Sequence, residues 1–244
     1  MITSSRNMPR VRRLSCLVGL AALAAAVTSQ TLWAETQVTM AVPNPSAITW
    51  APMWAAIGEG YFKEEGIDLS VEAVDGSSQV LQAMSAGQAQ LGAPGPGPLL
   101  GARARDLDVV FLYNQYPKSV FGLLVKADSG YASATDLRGK VIGVGTADGA
   151  EVSFARAILT DAGMNEGSDY TFLPVGDGGT AAVAFLRDEV DAYAGAVSDA
   201  AILASRGLEL TEITPPQYLG FFGNGYAALA DYIETNPAII EGFG

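Results

Sequence analysis

Among residues that can do chemistry, the most informative feature of this 244-residue chain is an absence: it has no histidine, and its one cysteine is Cys16. That removes Ser-His-Asp and Cys-His nucleophilic sites, the usual zinc ligand sets and the commonest general base near neutral pH. Carboxylates remain and could work as an acid–base pair, but no spacing singles out a pair. The expectation is therefore no catalytic residue, no metal and no cofactor. What remains is suited to binding. Asn44 and Ser46, Ser77 and Ser78, Asn114 and Gln115, Thr146, Gly178, Gly179 and Thr180, and Ser198 and Asp199 all follow short apolar runs, offering hydroxyls, amides and helix N-terminal N–H groups. Each position would serve equally as a plain cap. Trp50, Tyr113 and Tyr193 lie near the ends of such runs, where a ring either stacks on a planar ligand or packs in the core, while Trp54 is expected in the core.

One glycine-rich stretch, Gly143-Val-Gly-Thr-Ala-Asp-Gly149, sits where a dinucleotide fingerprint would. Its third glycine comes one residue late, and Asp148 would face a pyrophosphate. The better reading makes Asp148 an N-cap, with Glu151 three residues on completing a capping box.

The elements that must position these residues follow from periodicity. An apolar strand, Val38 to Val42, precedes a helix with Trp50, Met53, Trp54 and Ile57 at helical spacing, stopped by Gly58 and Gly60; Ile67 to Val71 is the next strand. Strand, helix and strand make a βαβ unit, and the loop Pro43–Thr49 lies at the carboxyl end of its first strand, where open α/β sheets bind ligands. A helix from Ser77 or Ser78 to Gly87 comes next, then a short strand Gln90 to Ala93, a turn Pro94-Gly-Pro-Gly-Pro98 into a helix, and a buried strand Val109 to Tyr113.

Val120 to Val125 is expected to carry the chain out of a first lobe. Strands Val141–Val144, Thr171–Val175 and Asp191–Ala194 then alternate with helices Glu151–Ala162, Thr180–Arg187 and Asp199–Ser205, the pattern of a second, parallel-rich sheet covered on both faces. Leu219 to Tyr226 is expected to return the chain, so that residues 35–118 plus 218–244 form one lobe and 119–217 the other, with a ligand cleft between them.

Four stretches carry a resemblance: Trp50-x-Pro52, Gly60-Tyr-Phe-Lys-Glu-Glu-Gly-Ile67, Val80-Leu-Gln-Ala-Met-Ser-Ala-Gly87 and Asp136-Leu-Arg-Gly-Lys-Val-Ile-Gly-Val144. Together they resemble the periplasmic solute-binding proteins of ABC importers for sulfonates, taurine, nitrate and thiamine-type pyrimidines, the NMT1/THI5-like family, from about Val38 to the last residues. The resemblance implies an α/β, two-lobed periplasmic-binding-protein fold of type II, each lobe a mostly parallel sheet flanked by helices. It also implies a monomer that closes over a small-molecule ligand and presents it to an inner-membrane ABC permease with a cytoplasmic ATPase. Relatives of this type usually continue with further helices of the first lobe, so the chain is expected to be a truncated member. A yeast relative that consumes one of its own histidines is no guide here, because this chain has none. The alternatives are an exported enzyme with a carboxylate-based site and a ligand sensor of the same fold.

Arg10, Arg12 and Arg13, the apolar run Leu14 to Val27 and the small residue Ala34 have the layout of a secretory signal peptide over residues 1–34, which would take Cys16 with it. Losing its four arginines moves the net charge from −12 to −16, which opposes binding to nucleic acid or anionic lipid. Asp75, Asp177 and Asp199 lie near strand ends and no arginine does. The ligand is therefore expected to be neutral, zwitterionic or singly negative, an aminopyrimidine or aminosulfonate before nitrate, with any anionic group between the helix starts at Ser77 and Gly179.

Overall fold

The computed structural model describes residues 35–44 and 48–244; the expected leader, Cys16 and Ser46 lie outside the described residues. In chain order the first part supplies β1 (Thr36–Pro43), α1 (Ala51–Glu59), α2 (Tyr61–Glu64), β2 (Ile67–Val74), α3 (Gly76–Ser85), β3 (Leu91–Gly92), α4 (Pro96–Arg103) and β4 (Val109–Asn114). Then come β5 (Phe121–Lys126), β6 (Lys140–Val144), α5 (Ala150–Asp161), β7 (Tyr170–Pro174), α6 (Gly179–Leu186), β8 (Ala192–Ala196), α7 (Val197–Ser205) and β9 (Leu210–Glu212). The rest is α8 (Pro216–Leu219), β10 (Gly225–Leu229), α9 (Ala230–Thr235) and α10 (Pro237–Phe243).

Successive residues of a strand point to opposite faces, and β1 is buried on both. Val38, Met40 and Val42 pack with Trp50, Met53 and Ile67, while Ala41 packs on the other side with Val80, Met84 and Leu99. Such a strand must lie inside a sheet covered on both faces. It lies in a five-stranded sheet of order β2-β1-β3-β10-β4. The second sheet, of order β7-β6-β8-β5-β9, repeats the plan: Ala192 and Ala194 of β8 join one core cluster and Tyr193 the other. Each fully buried large apolar side chain contributes about 1.5–3 kcal/mol relative to exposure.

Both sheets are mixed. β1 pairs parallel with β2 and β3, and β6 parallel with β7 and β8, but β10 runs antiparallel between β3 and β4, and β5 antiparallel between β8 and β9. β5 and β10 are the strands that receive the chain after each passage between the sheets, and an entering strand need not obey the crossover rule of a βαβ unit. The passages, near residues 116–119 and 219–224, are bonded to each other: Tyr116 N–H to Asn224 O (3.2 Å), Gly223 N–H to Tyr116 O (2.7 Å) and Ser119 N–H to Leu219 O (3.3 Å). Glycine is required at 223, where a Cβ would sit 2.5 Å from the Lys118 carbonyl oxygen.

Several local expectations need correction. α1 runs through Gly58 and ends at Gly60, whose left-handed backbone (φ 85°) lets its N–H bond Ala56 and Ile57 carbonyls. Trp54 faces outward, 42% exposed, because the buried stripe of this helix is carried by Trp50 and Met53 instead. Strand β4 is a sheet edge on which only Val109 is buried. Ser77 and Ser78 do not cap α3, whose N-cap is Asp75 without a side-chain bond, and Asp148 does not cap α5, whose N-cap is Gly149. Strand β9, absent from the sequence reading, is three residues long and pairs with β5. Among the described residues no helix is long and apolar enough to cross a membrane.

Candidate functional site

The carboxyl ends of β1, β2, β6, β7 and β8 converge on a cavity of about 300 Å³ lined from both sheets. From the first come Pro43, Asn44, Thr49, Trp50, Val74, Asp75, Gly76, Ser77 and Asn224; from the second come Phe121, Thr146, Gly149, Ala150, Glu151, Asp177, Gly195, Ala196, Ser198 and Asp199. This is the placement that strand polarity dictates for ligands in open α/β sheets.

Asn44 leaves β1 with φ 44°, a left-handed conformation that asparagine tolerates better than most residues. Its side-chain Nδ2 donates to Asp177 Oδ2 at 2.7 Å, tying the first sheet's loop to the second's. Trp50 is 2% exposed, donates Nε1–H to Pro43 O (3.2 Å) and lies 5.9 Å from the Tyr226 ring. It is a core residue and a wall of the cavity at once. Ser77, also buried, accepts the Gly95 N–H on Oγ at 3.0 Å. This bond fixes the Pro94–Pro98 turn, where glycine is again a matter of room: a Cβ on Gly95 would meet Ala150 Cβ at 2.1 Å, and one on Gly97 would meet Ser153 Cβ at 2.6 Å. The two halves are thus in direct contact beside the cavity.

The remaining sequence candidates divide. Thr146 and Asp199 line the cavity, and Asp199 accepts the N–H groups of Gly178 (3.1 Å) and Ala196 (3.0 Å). Tyr193 is fully buried behind the wall, its hydroxyl 3.2 Å from Gly176 O and 3.4 Å from Asp177 Oδ1, and so positions the Asp177 loop without lining the cavity. Ser78 belongs to a separate groove between α3, α4 and α5, where its hydroxyl reaches Asp148 O at 3.5 Å. Asn114 is exposed at the end of the edge strand β4, and Gly179 and Thr180 point into solvent, Thr180 Oγ1 donating to Asp177 O at 2.9 Å. These four lie outside the cavity lining, which the start of α3 borders at Gly76 and Ser77 and the start of α6 does not.

What sequence reasoning missed is Glu151. Instead of completing a capping box, it folds back so that Oε1 accepts the Thr146 N–H at 3.1 Å, and it faces the cavity. Burial raises its carboxyl to about 7, against bonds from its own and Thr146's N–H, with Asp177 and Asp199 raising it further. Asp199 is pushed up to about 6 by burial and by Asp177. Burial also raises Asp177, opposed by its bonds from Asn44 and Tyr193. The Tyr193 phenol is pushed far up by burial and by the three carboxylates, so it is a neutral donor. Among the described residues no lysine or arginine lines this cavity. Thr146 Oγ1 and Asn224 Oδ1 are buried without a partner among the described residues. Nor do those residues include a cluster of three potential metal ligands. Chemically, the cavity is rich in acceptors and lacks cations.

The comparisons agree with this architecture. The Escherichia coli periplasmic aliphatic sulphonate binding protein SsuA is 21% identical, with TM-score 0.62 over 85% of this chain and 69% of that one. A solved Bordetella bronchiseptica protein is 25% identical, with TM-score 0.71 over 85% of this chain and 68% of that one. The fold is the two-lobed α/β periplasmic-binding-protein fold of type II. In sequence, the riboflavin-binding protein RibY of Chloroflexus aurantiacus is 29% identical over 212 residues, which are 85% of this chain and 59% of that relative's length. The chain therefore spans somewhat over half of that curated relative. The family model described as NMT1/THI5 like matches residues 47–244, and the chain belongs to that family.

Proposed function

We propose that this protein is an exported solute-binding protein that closes its two lobes, residues 35–118 plus 218–244 and residues 119–217, over a small organic ligand. It delivers that ligand, as a monomer, to an inner-membrane ABC permease driven by a cytoplasmic ATPase. The observation that carries the reading is a cavity lined from both sheets, with the Asn44–Asp177 bond crossing between them. The leader-like run over residues 1–34 and the periplasmic neighbours support export.

The lining favours one of the two ligand classes the sequence left open. A sulfonate would meet Glu151, Asp177 and Asp199 with no lysine or arginine to neutralise it, whereas an aminopyrimidine offers N–H donors to those oxygens. A nitrogen heteroaromatic also suits the Trp50 wall and matches in kind the riboflavin for which the Chloroflexus relative is named. The test is calorimetric titration with a 4-aminopyrimidine, taurine and nitrate, with small-angle scattering to read closure. Binding and compaction with the pyrimidine are expected; tight nitrate binding with no response to the other two would overturn the ligand class. A carboxylate-based enzyme is the second reading, favoured by the raised carboxyls of Glu151 and Asp199. Recovery of the bound molecule unchanged after prolonged saturation would eliminate it.

A further inference from the structure

We infer that the ligand occupies this cavity with a positively charged nitrogen head group, an ammonium, amidinium or protonated ring nitrogen, held by Glu151, Asp177 and the carboxamide oxygen of Asn224. The inference rests on the cleft being a solute site and narrows its ligand to cations.

Four carboxylates, Asp75, Glu151, Asp177 and Asp199, line one cavity, with no basic side chain among the described lining residues. Their own bonds do not exhaust them. Asp199 is occupied by two backbone N–H groups, but Glu151 Oε1 has Thr146 N–H, and Asp177 has Asn44 and a long contact to Tyr193. An independent group points the same way. Asn224, from the other half of the chain, is 8% exposed, lines the same cavity, and has a buried Oδ1 without a partner among the described residues. An amide oxygen buried and unbonded is costly and calls for a donor, which a ligand in this cavity can bring.

The groups facing Glu151 are Asp177 and Asp199 as charges and the Tyr193 phenol, with Asp75 across the cavity and Asp148 on its own loop; Arg156, farther along α5, is taken by Glu166 at 2.8 Å. A cation placed among them favours ionised Glu151. At pH values below about 7 its arrival is therefore coupled to loss of the carboxyl proton to solvent, and affinity rises with pH.

The probes are benzamidine, benzamide and benzoate, which share a frame and differ in charge. At pH 8 benzamidine is expected to bind at least about tenfold more tightly than benzamide, the difference a charged hydrogen bond makes, and benzoate more weakly still. Between pH 8 and 6 benzamidine affinity should fall, with proton release visible as a buffer-dependent binding enthalpy. Glu151→Gln keeps an acceptor for Thr146 N–H; it should weaken benzamidine about tenfold at pH 8, flatten most of the pH slope and weaken benzamide by clearly less. Benzoate binding as tightly as benzamidine, no response to millimolar benzamidine, or an unchanged slope in Glu151→Gln would each overturn the inference. A protein that compacts on a neutral ligand while ignoring benzamidine would lose the charge assignment and keep the transport reading; one that compacts on nothing would lose both.

Discussion

Glu151→Gln also makes a prediction about the unliganded protein: it should be more stable than the parent at pH 8 and nearly unchanged at pH 5. The folded carboxyl titrates near pH 7 against an ordinary value of 4.5, because burial and the neighbouring Asp177 and Asp199 disfavour its charge. Between those values the folded state holds a proton that the unfolded chain has released, so the parent's stability falls as pH rises through the window and the full cost is present above pH 7. A gap of about 2.5 pH units at about 1.4 kcal/mol each makes that cost about 3 kcal/mol at pH 8, and less than about 1 kcal/mol at pH 5. Glutamine presents the same acceptor to Thr146 N–H without the charge. Urea unfolding at both pH values measures the difference. Equal changes at pH 5 and pH 8, or a loss at pH 8, would refute the argument that Glu151 is buried among like charges.

Trp50→Ala removes a side chain that is 2% exposed and packed between Met40, Met53 and Tyr226, so a loss of about 3–5 kcal/mol in unfolding free energy is expected; a loss under about 1 would mean the ring is not in the core. Gly95→Ala should leave the fold intact but force the lobes apart at Ala150, lowering ligand affinity and enlarging the radius of gyration in the presence of ligand; unaltered compaction would show that the contact is not part of closure. Asn44→Ala removes the 2.7 Å bond to Asp177 and should weaken ligand binding by about 1 kcal/mol, read by calorimetry, while unchanged affinity would make that bond incidental. N-terminal sequencing of periplasmic material should find Glu35 or its neighbour first, and an intact Met1 in soluble protein would refute export.

The opening βαβ unit was legible because its apolar residues repeat at periods of two and then near 3.6, and those periods alone put Asn44, Trp50 and Ser77 at strand carboxyl ends. The inserted strand β10 was not, since an antiparallel partner is chosen by where the chain returns and leaves no mark in the pattern of Gly225–Leu229. Glu151 was misread for a local reason: three residues after Asp148 at a helix start, a glutamate that caps and one that turns into a cavity have the same sequence. Asp177 was noted only as a charge near a strand end, because the loop geometry that brings it to Asn44 depends on contacts across the two halves. Trp54 went the other way, an apolar residue on the helical stripe that the neighbouring helix never covers.

The paired passages near Tyr116 and Gly223 have a mechanical meaning. Two separate tethers would let the halves swing, shear and twist independently. Segments bonded to each other along their length behave as one ribbon, which bends easily about a single line and resists the rest. If the halves open as proposed, the motion is confined to one coordinate, as a book opens on its spine, and a solute would enter and leave by the edge opposite. Gly223, seated against the Lys118 carbonyl with no room for a methyl, keeps the two passages close together.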